Sequence, residues 1–141
     1  MTCESAKLGV SNIAWAGESE EQYFRLLSTL GVQGVEIAAS LIWPEPVEST
    51  PRQRQHYRKF VSSFGLQISG LASLLFSQPG LQLLTAGPKQ QDFIDYLRKT
   101  VDLCADLGGN YLVFGRPQNR QRQNLPMTEA TDRAVTIFRK V

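Results

Sequence analysis

The chain has 141 residues, 42% of them hydrophobic, which is enough to bury the core of one ordinary domain and argues against disorder. Fifteen basic and thirteen acidic side chains leave a net charge of +2 with no basic stripe, so neither nucleic acid nor an anionic membrane is expected as a partner, while a small anionic ligand stays open. Cys3 and Cys104 lie far apart without metal-ligand spacing, the amino terminus lacks a signal-peptide pattern, and no apolar run approaches the ~20 residues of a spanning helix, which together predict a soluble cytoplasmic protein with reduced thiols.

Lys7–Trp15 reads as a first strand, with Leu8, Val10, Ile13 and Trp15 apolar, followed by Ser19-Glu-Glu-Gln22 as a capping box that opens a helix. That helix carries Tyr23, Phe24, Leu27 and Leu30 at helical spacing and stops at Gly31, after which Val32–Ala38 forms the second strand. Thr50-Pro51-Arg-Gln53 supplies an N-cap, a first-turn proline and a capping-box glutamine for a second helix, whose buried face is Tyr57, Phe60, Val61 and Phe64 and which ends at Gly65. The third strand is Leu66–Leu71. A third helix starts near Pro88, buries Phe93, Ile94, Leu97, Val101, Cys104 and Leu107, and stops at Gly108-Gly109. Asn110–Gly115 reads as a buried fourth strand, and a fourth helix from about Met127 to Lys140 turns Ala130, Ala134, Ile137 and Phe138 inward.

Strands separated by helices imply a parallel sheet with right-handed crossovers. Each helix returns to its strand through one or two glycines, whereas the connections leaving strands two, three and four are each roughly ten to fifteen residues, longer than the usual ~2–6. Chain length therefore accumulates at the carboxyl end of the sheet, where α/β folds place their sites. The expected fold is α/β, four consecutive βα units making the amino-terminal half of a (β/α)8 barrel, with a small open flavodoxin-like sheet as the alternative. Neither GxGxxG nor GxxxxGK[ST] follows strand one, which disfavours a dinucleotide or P-loop sheet. A barrel takes ~250 residues. The sequence stops inside an amphipathic helix at Phe138-Arg-Lys-Val141, so residues 1–141 are expected to be a single partial domain truncated after the fourth helix.

Leu8-Gly-Val-Ser-Asn-Ile-Ala-Trp15, Gly34-Val-Glu-Ile37, Ile68-Ser-Gly-Leu71 with Ser73-Leu-Leu-Phe76, and Leu112-Val-Phe-Gly115 followed by Pro117-Gln-Asn-Arg120 together resemble the xylose isomerase-like TIM barrels. Within them the chain is most similar to the sugar phosphate isomerase/epimerase group, over the amino-terminal half only. The family commonly has serine where Arg116 stands and histidine where Ala72 stands, two departures that mark either altered specificity or mere drift. The resemblance implies metal-assisted proton transfer beside a carbonyl of a small sugar or polyol. It also implies a divalent metal held by Glu, Asp, His and Glu from strands five to eight, so no metal ligand falls in this chain and the chain alone is expected to be inactive.

Glu36 alternates with Val35 and Ile37 and shares a face with Gly34, so its carboxylate is expected in the barrel mouth, there to bond a sugar hydroxyl, move a proton or pair structurally with an arginine. Arg116, Arg120 and Arg122, with Asn119 between them, lie on the loop after strand four, where guanidinium forks suit an anion and where solvated arginines are also ordinary. Arg120 occupies the family-like position. Gly115 either lets the backbone approach a ligand or simply ends a strand. Asn12 is a candidate polyol contact beside Ser11, and Trp15 a candidate apolar platform or a packing residue. Trp43 reads as a lid or a rim aromatic, His56 as solvent-exposed and Cys104 as core. Two other readings stand beside the isomerase: a non-catalytic binding module or degenerate half-barrel, and an abasic-site endonuclease-type barrel. Open sheet edges make self-association of the isolated chain an expectation.

Overall fold

The computed structural model describes residues 7–15 and 19–141. Cys3 and the capping-box approach at 16–18 lie outside the described residues. At the centre is a five-residue strand, β2 (Gly34–Ala38), hydrogen-bonded in parallel to β1 (Gly9–Ser11) on one side and to β3 (Gln67–Ala72) on the other. Ser11, Glu36 and Gly70 stand side by side in register, as do Ala38 and Ala72, and a bulge at Val35/Glu36 shifts β3 by one residue.

Alternation along β2 divides the sheet into two faces. Val35 and Ile37 are 0% exposed and pack beneath α1 (Glu20–Thr29), α2 (Pro51–Ser62) and the second half of α3 (Pro88–Leu107), through Phe24, Leu27, Tyr57, Val61, Leu103 and Leu107. Gly34 and Glu36 point the other way and are only half-buried. A second apolar cluster joins Leu75 and Leu83, on the long connection after β3, to Phe93, Ile94 and Leu97 of α3 and Ile137 of α4 (Met127–Phe138). No helix among the described residues is long and apolar enough to cross a membrane.

Local chemistry explains the boundaries. Thr50 accepts from the Gln53 backbone N–H at 3.3 Å while the Gln53 side chain accepts from the Thr50 N–H at 2.8 Å, the complete capping box expected for α2, with Pro51 in the first turn. The box expected at Ser19 does not form: Ser19 makes no side-chain cap bond, and the carboxylates Glu20 and Glu21 favour the positive end of α1 instead. Helices α2 and α3 give way to residues with positive φ, Gly65 at 74° and Gly108 at 84°, which reverse the chain toward the next strand.

The order β1-β2-β3, with helices covering one face only, excludes the flavodoxin-like alternative, in which strand order reverses at a switch point and helices cover both faces. Four helices and an unclosed parallel sheet form the amino-terminal (β/α)4 half of a barrel, with the open face of the sheet as its lumen. Several expectations are corrected. The first strand ends at Ser11, and Asn12–Trp15 turns into a short 3-10 helix. Residues 110–115 make one parallel bridge, Leu71 to Leu112, rather than a regular strand. That segment is not buried either, because Tyr111 and Val113 face the open lumen and are each 42% exposed. Val101, expected inside, is 40% exposed, and Phe138, though packed on Phe114 at 5.4 Å, is still 42% exposed.

Gly70 is where the bridge demands a glycine. A Cβ there would lie 2.5 Å from the Tyr111 carbonyl oxygen and 2.6 Å from its ring. A Cβ on Gly115 would meet only Val113, at an ordinary 3.8 Å. Gly70→Ala is therefore expected to lower stability by about 1–3 kcal/mol through overpacking. Gly115→Ala should change it by less than about 0.5 kcal/mol, both read from urea denaturation midpoints.

Candidate functional site

The carboxyl ends of β1, β2 and β3 define the mouth of the half-barrel. Glu36 lies on its lumen face between Ser11 and Gly70, and it makes no hydrogen bond or ion pair among the described residues. The arginine partner that a purely structural glutamate would require is not found there: Arg25, Arg54, Arg98 and Arg133 pair with other carboxylates. Asn12 is 1% exposed, and its Oδ1 accepts from the Ala38 N–H at 2.7 Å, tying the turn after β1 to the end of β2. Its Nδ2, the Ser11 hydroxyl and the Trp15 indole N–H are buried without a partner among the described residues. Such atoms carry a desolvation cost of about 1–3 kcal/mol each until an acceptor or donor meets them.

Trp15 is 4% exposed. It stacks on Tyr23 at 5.2 Å and makes a T-shaped contact with Phe24 at 5.9 Å, so the ring serves the core and is not presented to a ligand. Trp43 likewise packs against Tyr57, at 5.5 Å, on the barrel rim. His56 is exposed on α2, and Ala72 is buried at the end of β3, followed by Ser73 with φ 54°.

The arginines separate into two kinds. Arg116 donates from Nη1 to the carbonyls of Leu75 and Phe76 at 2.9 and 2.8 Å and from Nη2 to Gln118 at 2.8 Å, with its guanidinium 5.3 Å above the Phe76 ring. It clamps the β3–α3 connection to the segment after Gly115. Arg120 has no side-chain bond among the described residues. With Arg122 and Arg139 it borders a cleft of about 850 Å³ whose floor is apolar, formed by Leu83, Leu84, Ala130, Ala134 and Phe138. Asn12, Trp15 and Glu36 do not line that cleft, so the sequence candidates occupy two places rather than one.

Two organising residues escaped sequence reading. Asn119 is 0% exposed; its Nδ2 donates to the carbonyls of Gln78 and Leu81 at 3.0 and 2.6 Å, and its own carbonyl accepts from Leu83 N–H at 2.8 Å. Arg54 is buried in α2, donating to Ser49, Asp106 and the Val47 carbonyl at 2.9–3.0 Å. An arginine at the register of an apolar helix face was the available signal for Arg54; for Asn119, flanked by polar residues in a loop, there was none. Burial pushes the Cys104 thiol up, which keeps it protonated and inert. Burial, with the neighbouring Glu20 carboxylate, also pushes the Tyr57 phenol up, so it stays a donor to Glu20 at 2.8 Å. Among the described residues no group of three or more His, Cys, Asp or Glu side chains is placed to hold a metal ion.

No family model and no curated protein matches the chain. Solved structures do. A D-psicose 3-epimerase crystallised in the presence of D-fructose superposes with a TM-score of 0.66 at 15% identity, covering 94% of this chain and 46% of that one. A xylose isomerase domain protein from Alicyclobacillus acidocaldarius superposes with a TM-score of 0.56 at 14% identity, covering 95% of this chain and 44% of that one. At these identities the likeness shows the fold alone, a partial (β/α) barrel, and the chain spans less than half the length of either structure.

The two arginines give a direct test of this geometry. Arg116→Ala should cost about 1–3 kcal/mol, because it orphans the carbonyls of Leu75 and Phe76. Arg120→Ala should stay within about 0.5 kcal/mol, as exposed substitutions do. Denaturant unfolding of the two variants beside the unsubstituted chain reads the difference.

Proposed function

We propose that the chain is the amino-terminal half of a sugar isomerase or epimerase-type barrel, acting on a small sugar or polyol when the rest of the barrel is present and inactive alone. The observation that carries this reading is an open half-barrel, similar in fold to an epimerase crystallised with a ketohexose, whose mouth holds an unpaired carboxylate beside unpartnered polar atoms. The chemistry fits. A sugar hydroxyl at the carboxyl end of β2 can donate to the Glu36 carboxylate, and it reaches Asn12 Nδ2, which is sealed in the turn after β1, once that turn opens. A carboxylate so placed can also take the proton from the carbon beside a carbonyl and return it to the former carbonyl carbon or to the other face of the same carbon.

Asn12 serves the site with one half of its amide, since its Oδ1 is held by Ala38. Trp15 acts from behind the mouth, fixing the turn that carries Asn12. Arg120, which makes no side-chain bond among the described residues, is available to meet an anionic group such as a phosphate, and Arg116 holds the loop from which it projects. A divalent metal, expected for such a barrel, finds no ligand set among the described residues. No step is assigned to it. A cytoplasmic setting, and self-association of the isolated chain through its uncovered flanks, complete the proposal.

Titration of the ¹⁵N-labelled chain with millimolar D-fructose tests the site. The expected result is shifts at Ser11, Glu36 and the Asn12 side-chain amide, with no deuterium entering the sugar from D2O. No shift at the mouth, or shifts confined to the cleft beside α4, would remove the polyol reading.

A further inference from the structure

Of all the residues in β1, β2, β3 and the bridged segment 110–115, Glu36 alone is charged. It projects into the lumen, and the residues beside it there, Ser11, Ser69, Gly70 and Tyr111, supply no cation. The half-barrel also exposes apolar side chains on its first and last βα units: Leu8, Ile13, Leu26 and Leu30 on or beside β1 and α1, and Val135 and Phe138 on α4. These are the two flanks at which a closing half would dock. The solved structures of this fold are about twice as long as the chain, so such a half is the natural complement of both flanks.

The apolar flanks set adhesion, and Glu36 sets which half is accepted. In a closed barrel, side chains from alternate strands share one layer inside the lumen. A second copy of this chain would therefore bring its own Glu36 into the same layer, from the opposite wall. Two carboxylates withdrawn together from water repel, which opposes closure. From this we infer that the surface selects a partner half that presents an arginine or lysine side chain to Glu36, and that Glu36 disfavours closure by a second copy. The flanks of two copies still attract, so the unsubstituted chain associates in open-ended fashion rather than as a discrete closed pair. Nothing in this pairing depends on the substrate, so it stands or falls apart from the sugar reading.

The chain itself serves as probe. Sedimentation velocity is run on the unsubstituted chain, on Glu36→Lys, on Glu36→Gln and on an equimolar mixture of the first two, with one copy isotope-labelled so that native mass spectrometry counts each partner. The mixture is expected to form a discrete 1:1 dimer at least about tenfold more tightly than either component alone, as replacing a like-charge by an opposite-charge contact implies. Glu36→Gln should pair with itself more tightly than the unsubstituted chain does, a readout that survives even if Glu36→Lys folds poorly. A discrete dimer of the unsubstituted chain as tight as the mixture, or a Glu36→Gln variant that pairs no better, overturns the inference.

Discussion

The two-faced character of β2 is the constraint on which the rest of the molecule depends. Val35 and Ile37 are fully buried beneath three helices, and burial of such side chains stabilises by about 1.5–3 kcal/mol each. Because the side-chain period of a strand is two, fixing those residues under the helices fixes Gly34 and Glu36 in the lumen. A slip of one residue would put a carboxylate beneath Phe24 and Leu103 and strip the core of both branched side chains. The apolar energy of the outer layer thus holds a charge in the inner one. Glu36 stays where it is because its neighbours cannot move.

Polar knots then hold what the sheet cannot. The long connections at the carboxyl end have no ladder hydrogen bonds of their own, and buried backbone groups need partners. Arg54 ties the connection after β2 to α3 through Asp106, Arg116 takes two carbonyls of the connection after β3, and Asn119 takes two more. Each knot uses side-chain donors in a forked or paired arrangement, which is why arginine and asparagine stand there rather than lysine or serine. The outcome is a rim of defined shape around the mouth. A rim of that kind is what a site needs before any chemistry can be asked of it.

The layers of this fold were legible in the sequence wherever burial has a period. The apolar positions of α1, α2 and α3 repeat every three or four residues, and the Thr50–Gln53 capping box and the helix-ending glycines stand where their chemistry puts them. The segment 110–115 misled because its composition matches a buried strand, while Tyr111 and Val113 on its lumen face stay 42% exposed; composition reports what a segment can bury, not whether a partner arrives. Trp15 and Arg116 show a different limit. Their types suit ligand recognition and internal packing equally, and only the Tyr23 stack and the Leu75 and Phe76 carbonyls decide between those uses. Glu36 was legible through alternation alone, since the strand period named its face before any contact was known.

With Trp15 packed on Tyr23 and Phe24, Arg116 saturated by carbonyls and Asn12 anchored through its oxygen, the Glu36 carboxylate and the Ser11 hydroxyl stand among the polar groups left uncommitted in the described residues. They sit at neighbouring positions of β1 and β2, on the most firmly packed part of the sheet. Loop residues such as Arg120 can adjust to a ligand at little cost, whereas a group on β2 cannot move without disturbing the apolar layer behind it. Rigidity of that order suits a group that must hold a hydroxyl or a proton at a fixed distance. The same rigidity makes its charge unavoidable for whatever closes the lumen. On the two proposals made above, one carboxylate would couple what the half-barrel binds at its mouth with what completes it, because both would be read at the same immobile position.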